Sequence, residues 1–450
     1  MTHWHPVRLI AALCAAIVLS GCSAGALSRT GAPSGSASAV LGCTAASTEL
    51  VASVQQYVTA YGSALASPNP SSSSPSSPPA SGRGAASSTN GARLQAAVAA
   101  AQRSVAAGKC SLADFRARLD KGLRGVTANG PIAQAVLLKL TASLDGTART
   151  QAQTVDVPAG ADLRTVVAGL APGSTMQLAG GRYRLSDTLV LLDAVSIVGA
   201  GIGATTIDTT AGGAGVVDLA DGRVEFRSLA VVHSGASSGD VIIGGPTSSL
   251  ELTQVRVSGA AAKGGAAASA GSPAPAPPAG SSDGIGVLMS SSKGAGTHGT
   301  TLEMTDSTVD GNEGGGIILS VGQAASLRRL TITSNGGCGV CFSGSSTGAV
   351  RDSHFSDNTV GVAVLDTAAP AVTGDVFTGG EFAIQVAGSA TPEIEGATIS
   401  GATRGAMIFT DTATGKVDGS SCTSVPFGIV VGSKALPYLG TNSCPVATGP

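Results

Sequence analysis

LEMTDSTVDGNEGGGIILSVGQA (residues 302–324), ASLRRLTITSNGGCGVCFSGSST (325–347) and GAVRDSHFSDNTVGVAVLDTAA (348–369) are three successive versions of one unit. Aligning them exposes a column of apolar residues, Val309, Ile332 and Phe355, which continues through Phe377, Ile399 and Cys422 at intervals of 23, 23, 22, 22 and 23. Two more columns keep the same register: Met304, Leu327, Val350, Val372, Ile394 and Val417; and Ile317, Val340, Val362, Ile384, Met407 and Ile429. Apolar columns that share one period mean that each repeat is a coil adding the same inward positions to a stacked core. A leucine-rich repeat has a similar period, but its L-x-x-L-x-L-x-x-N signature is missing. Within each coil the apolar residues alternate in short β-branched runs bounded by Gly, Asn, Asp and Ser, which are strand and turn signals. Asn312, Asn335 and Asn358 each precede a Gly-apolar step and predict a turn ladder, since Asn tolerates left-handed geometry and hydrogen-bonds to its stacked copy.

Upstream, Val155-Asp156-Val157 predicts a first strand, Asp162–Leu170 a short amphipathic helix, and Thr175–Leu178 a second strand. The run VPAGADLRTVVAGLAPGSTMQLAGGRYRLSDTLVLLDAVSIVGAGIGATTID (157–208) resembles the capping helix and first rungs of right-handed parallel β-helix proteins of the pectin-lyase-like class. The resemblance covers residues 153–444 and implies a mainly β solenoid of nine to ten coils. It carries little chemistry: nothing in the chain matches the W-x-D-H and R-x-P-x-x-R of pectate lyases, the N-T-D, D-D and G-H-G of polygalacturonases, or the D-P-H-D of alginate epimerases.

The N-terminus carries address signals. Arg8, the apolar run Leu9–Leu19 and then Leu19-Ser20-Gly21-Cys22 resemble a bacterial lipoprotein signal, whose cysteine is lipidated and becomes the new N-terminus. Eleven apolar residues are too few to span a bilayer. Residues 1–22 are therefore expected to be removed up to Cys22, and the chain to be held on the extracytoplasmic face of the cell membrane by lipid. A flexible tether follows over 23–43. Residues 44–150 read as a helical region, interrupted by a Pro/Ser-rich loop at 67–91 expected to be disordered, and serving as a stalk or spacer. A bland insertion, 259–282, is expected to leave one coil and return to the next.

An exported chain permits disulfides, and six cysteines remain once Cys14 and Cys22 are set aside. Cys43 and Cys110 are expected to tie the helical region, and Cys422 and Cys444 to staple the last coils. Cys338 and Cys341 are either paired locally or free. A redox C-x-x-C needs a helix N-terminus to lower a thiol pKa, whereas this one falls across a turn and a strand.

A net charge of −2 with 12% charged residues leaves no basic footprint for nucleic acid. Metal-ligand spacing, a P-loop and a dinucleotide fingerprint are missing, so no cofactor is called for. One cluster carries chemistry. Strand alternation turns the neighbours of Val309, Ile332 and Phe355 outward, and adjacent rungs lie about 4.8 Å apart. That gathers Arg328, Arg351, Asp352 and His354 with Asp306 and Asp310. Cations beside carboxylates suit a polysaccharide lyase or epimerase, and paired carboxylates a hydrolase. The same residues equally make an ordinary surface ladder. The favoured reading is a β-helix that binds or scaffolds polysaccharide without catalysis. The alternatives are a polysaccharide-modifying enzyme, lyase-like, or an adhesion or protein-interaction module built on the Thr308, Thr331, Thr398 and Ser421 column.

Overall fold

The computed structural model describes residues 40–65, 84–124, 130–220, 222–245, 248–262, 284–289 and 301–448. The signal segment with Cys22, nearly all of the tether, the greater part of the Pro/Ser-rich loop, residues 263–282 of the insertion, and His298 lie outside them. Val40 onward forms one compact unit that contains both large hydrophobic cores.

Every described strand-to-strand pairing is parallel, with strand n meeting the equivalent strand of the next coil. Each coil has three sides. Face 1 is formed by strands such as Thr301–Thr305, Ala324–Arg328 and Thr347–Arg351. Face 2 is formed by three-residue strands such as Thr308–Asp310, Thr331–Thr333 and His354–Ser356. Face 3 is formed by strands such as Gly315–Leu319, Cys338–Phe342 and Val360–Val364. Face 3 contains eleven strands, so the solenoid has about eleven turns rather than nine or ten. The earliest coils escaped the count because Gly222–His233 and Ser248–Ser258 each run through two faces without a break, which hides the spacing.

The three sequence columns all point inward: Val309, Ile332, Met304, Leu327, Ile317 and Val340 are fully buried in one continuous core. Phe355 and Phe377 stack within it, ring centroids 4.7 Å apart. Asn312, Asn335 and Asn358 line the turn from face 2 to face 3. Asn312 Nδ2 donates to Asn335 Oδ1 (2.9 Å), and Asn335 Nδ2 to Asn358 Oδ1 (2.8 Å). The same acceptors take the backbone N–H of the preceding Asn, so each amide closes a turn that neither face can close.

Four helices precede the solenoid: α1 Cys43–Leu65, α2 Gly84–Ala106, α3 Leu112–Gly122 and α4 Pro131–Leu144. Helix α2 starts at Gly84, inside the stretch expected to form the loop. Ser111 caps α3 by accepting from Asp114 N at 3.0 Å, and Pro131 opens α4 where no N–H is needed. A disulfide joins Cys43 to Cys110, across the start of α1 and the α2–α3 turn. These helices do not stand off as a stalk. Leu50, Val54, Phe115, Val136 and Leu140 share one apolar cluster with Val190, Val217 and Leu219, which face outward from the first strands of face 3. That explains why Leu189–Leu191 is buried on both sides. A fifth helix, α5 Leu163–Ala168, capped by Asp162, seats the fully buried Leu163 at the head of the solenoid core.

The interior also holds two fully buried carboxyls, Asp218 and Asp375, which burial pushes up to about 7. Asp375 Oδ1 accepts from Ser353 N at 2.8 Å, while its Oδ2 has no partner.

Two outcomes follow from this interior. Asn335→Ala leaves the Asn312 amide groups without their acceptor, and the melt should show a loss of about 1–3 kcal/mol for each buried donor orphaned. Asp375 holds its proton longer in the folded chain than in the unfolded one, so its contribution is complete at acid pH and is lost as pH rises towards about 7. Asp375→Asn should therefore be more stable than the parent above neutral pH, with the difference vanishing near pH 4 in melts across that range.

Candidate functional site

Face 1 turns into face 2 through a single residue held at positive φ. Successive coils place Ser228, Gln254, Asp306, Arg329 and Asp352 there (φ 51–54°), then Gly374, Gly396 and Gly419. The left-handed region suits Gly, admits Asp, and is unfavourable for a long side chain such as Arg. Where the later coils take the unstrained solution, three consecutive earlier ones carry a charge. Arg329 is held there by a two-pronged pair with Asp306, Nε to Oδ1 at 2.7 Å and Nη2 to Oδ2 at 2.8 Å. That pair holds the Asp306 carboxyl below the usual carboxylate range and raises the guanidinium, to which Asp352 also contributes.

Register then locates the other predicted residues. Thr305, Arg328, Arg351 and Thr373 are direct partners in one outward column of face 1. Thr331 and His354 are partners in the first column of face 2, across the corner. Arg328, Arg351, Asp352 and His354 are all exposed, and neither Arg328 nor Arg351 has an ion-pair partner among the described residues. The corner thus gathers Asp306, Arg328, Arg351, Asp352 and His354 over three coils.

Asp310 does not join them as a free carboxylate. It is clamped by Arg256 of the coil before, Nε to Oδ1 at 2.8 Å and Nη2 to Oδ2 at 2.6 Å. On the sequence the two residues are 54 apart, because residues 263–283 and 290–300 intervene, so no short-range spacing marked the pair. A second set was missed for the same reason. Glu225, Glu251 and Glu303 form one outward column on face 1. Arg227 pairs with Glu225 and Arg223 with Glu251, while Arg223 also lies 3.6 Å from Glu303. Their partners are therefore two arginines of the same face, which leave the three-carboxylate column one negative charge in excess.

What can this arrangement do? Exposed guanidiniums one rung apart, about 4.8 Å, present two planar forks to anionic groups on an extended ligand. Hydrolysis of a glycosidic bond by a carboxyl pair requires instead a carboxyl that keeps its proton near neutral pH. Asp306 is driven the opposite way by Arg329, and the carboxyls that burial raises, Asp218 and Asp375, have no surface. Among the described residues no group of three or more His, Cys, Asp or Glu side chains is placed to hold a metal ion. Cys338 and Cys341 form a disulfide within one face 3 strand, and Cys422 and Cys444 join the last two coils.

Residues 285–443 match the family described as the right-handed β-helix region, which accords with the handedness implied by the resemblance at 157–208. No curated protein matches the chain. Among solved structures, the tailspike protein 2 enzymatically active domain of bacteriophage CBA120 is similar at 10% identity and TM-score 0.46, over 63% of this chain and 48% of that one. This chain therefore spans about half of that domain. An alginate lyase from Paenibacillus sp. str. FPU-7 is similar at 13% identity and TM-score 0.41, over 66% and 98% of the two chains. The A-module of a mannuronan C-5 epimerase from Azotobacter vinelandii is similar at 14% identity and TM-score 0.37, over 61% and 89%.

Proposed function

We propose that this β-helix is an exported protein, anchored by lipid at Cys22, that binds an acidic polysaccharide along its length without cleaving it. The observation that carries the reading is the pair Arg328 and Arg351: in register, exposed and free of ion pairs, beside Asp306 and Asp310, which Arg329 and Arg256 already pair, and beside the exposed Asp352. Such a pair has charge to offer a polymer bearing uronate or sulfate groups at a regular repeat. Thr305 and Thr373 supply hydroxyls in the same column, and Thr331 one across the corner. The net charge of −2 argues against a nucleic acid as the polymer, since no broad basic surface accompanies the pair.

A lyase reading uses the same arginines to neutralise a uronate and His354 as the base. It shares the binding step and differs in making fragments.

Binding is tested by isothermal titration of the chain from Val40 with an acidic and a neutral polysaccharide at low and high salt. An exposed ionic contact contributes up to about 1 kcal/mol, or about fivefold in affinity. Arg328→Ala and Arg351→Ala should each weaken the acidic polymer by about that factor, and the double variant by more, with folding unchanged. Tight binding of the neutral polymer, or acidic binding untouched in the double variant, would remove this site from the proposal.

A further inference from the structure

The arginine pair stands in a column whose other members also face a ligand lying along it. From head to tail, that outward column of face 1 is Thr305, Arg328, Arg351, Thr373, Glu395 and Asp418. Hydroxyl and cations thus give way, over one further hydroxyl, to carboxylates. Glu395 stands two rungs, about 10 Å, beyond Arg351, and no ion pair joins them. Both Glu395 and Glu393 of the same strand are exposed and lack an ion pair among the described residues. The neighbouring outward column bounds the same window: Glu303 is followed by Ser326, Ala349 and Ala371, and then by Glu393. Three successive strands of face 1 therefore present no carboxylate, with acidic strands on either side, and Arg328 and Arg351 stand inside that gap. On the tail side Lys416 answers only one of the three carboxylates, its ammonium lying 3.5 Å from Asp418.

Resting on the reading that this column holds an acidic polysaccharide, we infer that the ligand is sparsely charged: an acidic sugar, or an adjacent pair, flanked by neutral ones. An anionic group over Arg328 and Arg351 meets two guanidinium forks. In a polymer charged at every sugar and laid along the same column, later anionic groups meet Glu395 and Asp418. There like charges repel, and an ionised carboxylate offers only acceptors. A neutral sugar at the same place donates its hydroxyls to those carboxylates. An exposed ionic contact changes affinity by up to about fivefold, so repulsion at two positions cancels attraction at two. The glutamates thus determine specificity: they turn away the fully charged polymer and accept its sparsely charged relative.

The test is isothermal titration of the chain from Val40, the compact unit that holds both cores, with polygalacturonate at a series of methyl-ester contents. Esterification removes charge and leaves the sugar backbone unaltered. Affinity should pass through a maximum at intermediate esterification, the half-esterified polymer binding about fivefold tighter than the unesterified one. The double variant Glu393→Gln, Glu395→Gln removes two charges from exposed positions. It should move the maximum towards the unesterified polymer and narrow the preference to within about twofold. Glu395→Gln alone serves if that variant folds poorly, and should shift the maximum in the same direction. An affinity that climbs steadily with charge, yet falls in Arg328→Ala, Arg351→Ala, overturns the inference and leaves the arginine site standing. A maximum that the glutamine variants do not move also overturns it, because the preference then has another origin. Binding that is absent at every ester content, or untouched by loss of both arginines, removes the site itself and the inference with it.

Discussion

In a coil, strands of three to five residues cannot pair with one another. Their N–H and C=O groups are satisfied only by the equivalent strands of the coils above and below. Equivalent residues are therefore forced into columns, and a column must be chemically uniform where it points inward. The aliphatic column from Met304 to Val417 meets that demand with packing, and the Asn312–Asn335–Asn358 ladder meets it with amides that bond to their own copies. Outward columns are under no such demand. They are free to carry the pattern of charge from which the functional reading is drawn.

The helices and the solenoid are bound by the same logic. An outward column on face 3 that is apolar, as at Val190 and Val217, needs a cover, and helices α1 to α4 supply it. Lys139 of α4 adds an ion pair to Asp193 at the junction, where burial lowers its ammonium to about 8. Arg164 of α5 reaches both Asp187 (2.6 Å) and Gln134 of α4 (3.0 Å). The helical region is in this way part of the wall of the solenoid, which its amphipathic pattern alone does not disclose.

How much of this was legible in the sequence followed from how regularly each feature repeats. Apolar columns and the Asn ladder recur every 22 or 23 residues and were readable at once. Arg328 and Arg351 were assigned to neighbouring rungs because they obey the same period. The Arg256–Asp310 clamp and the Glu225, Glu251 and Glu303 column were not, since the segments between their coils stretch one rung to more than 50 residues. The pairing of Arg329 with Asp306 depends on the left-handed corner, a backbone state that no side-chain pattern announces. Likewise the partnerless Oδ2 of Asp375 is a matter of three-dimensional packing around one carboxyl.

The central claim is that a polymer is held at the corner of faces 1 and 2 and released intact. Its most direct test is to incubate the chain from Val40 with acidic polysaccharides, recover the bound polymer and weigh it by mass spectrometry. The account predicts polymer that is retained by the protein and unchanged in mass distribution. Fragments with an unsaturated end, or with one added water per cut, would contradict it and make Arg328, Arg351 and His354 parts of an active site.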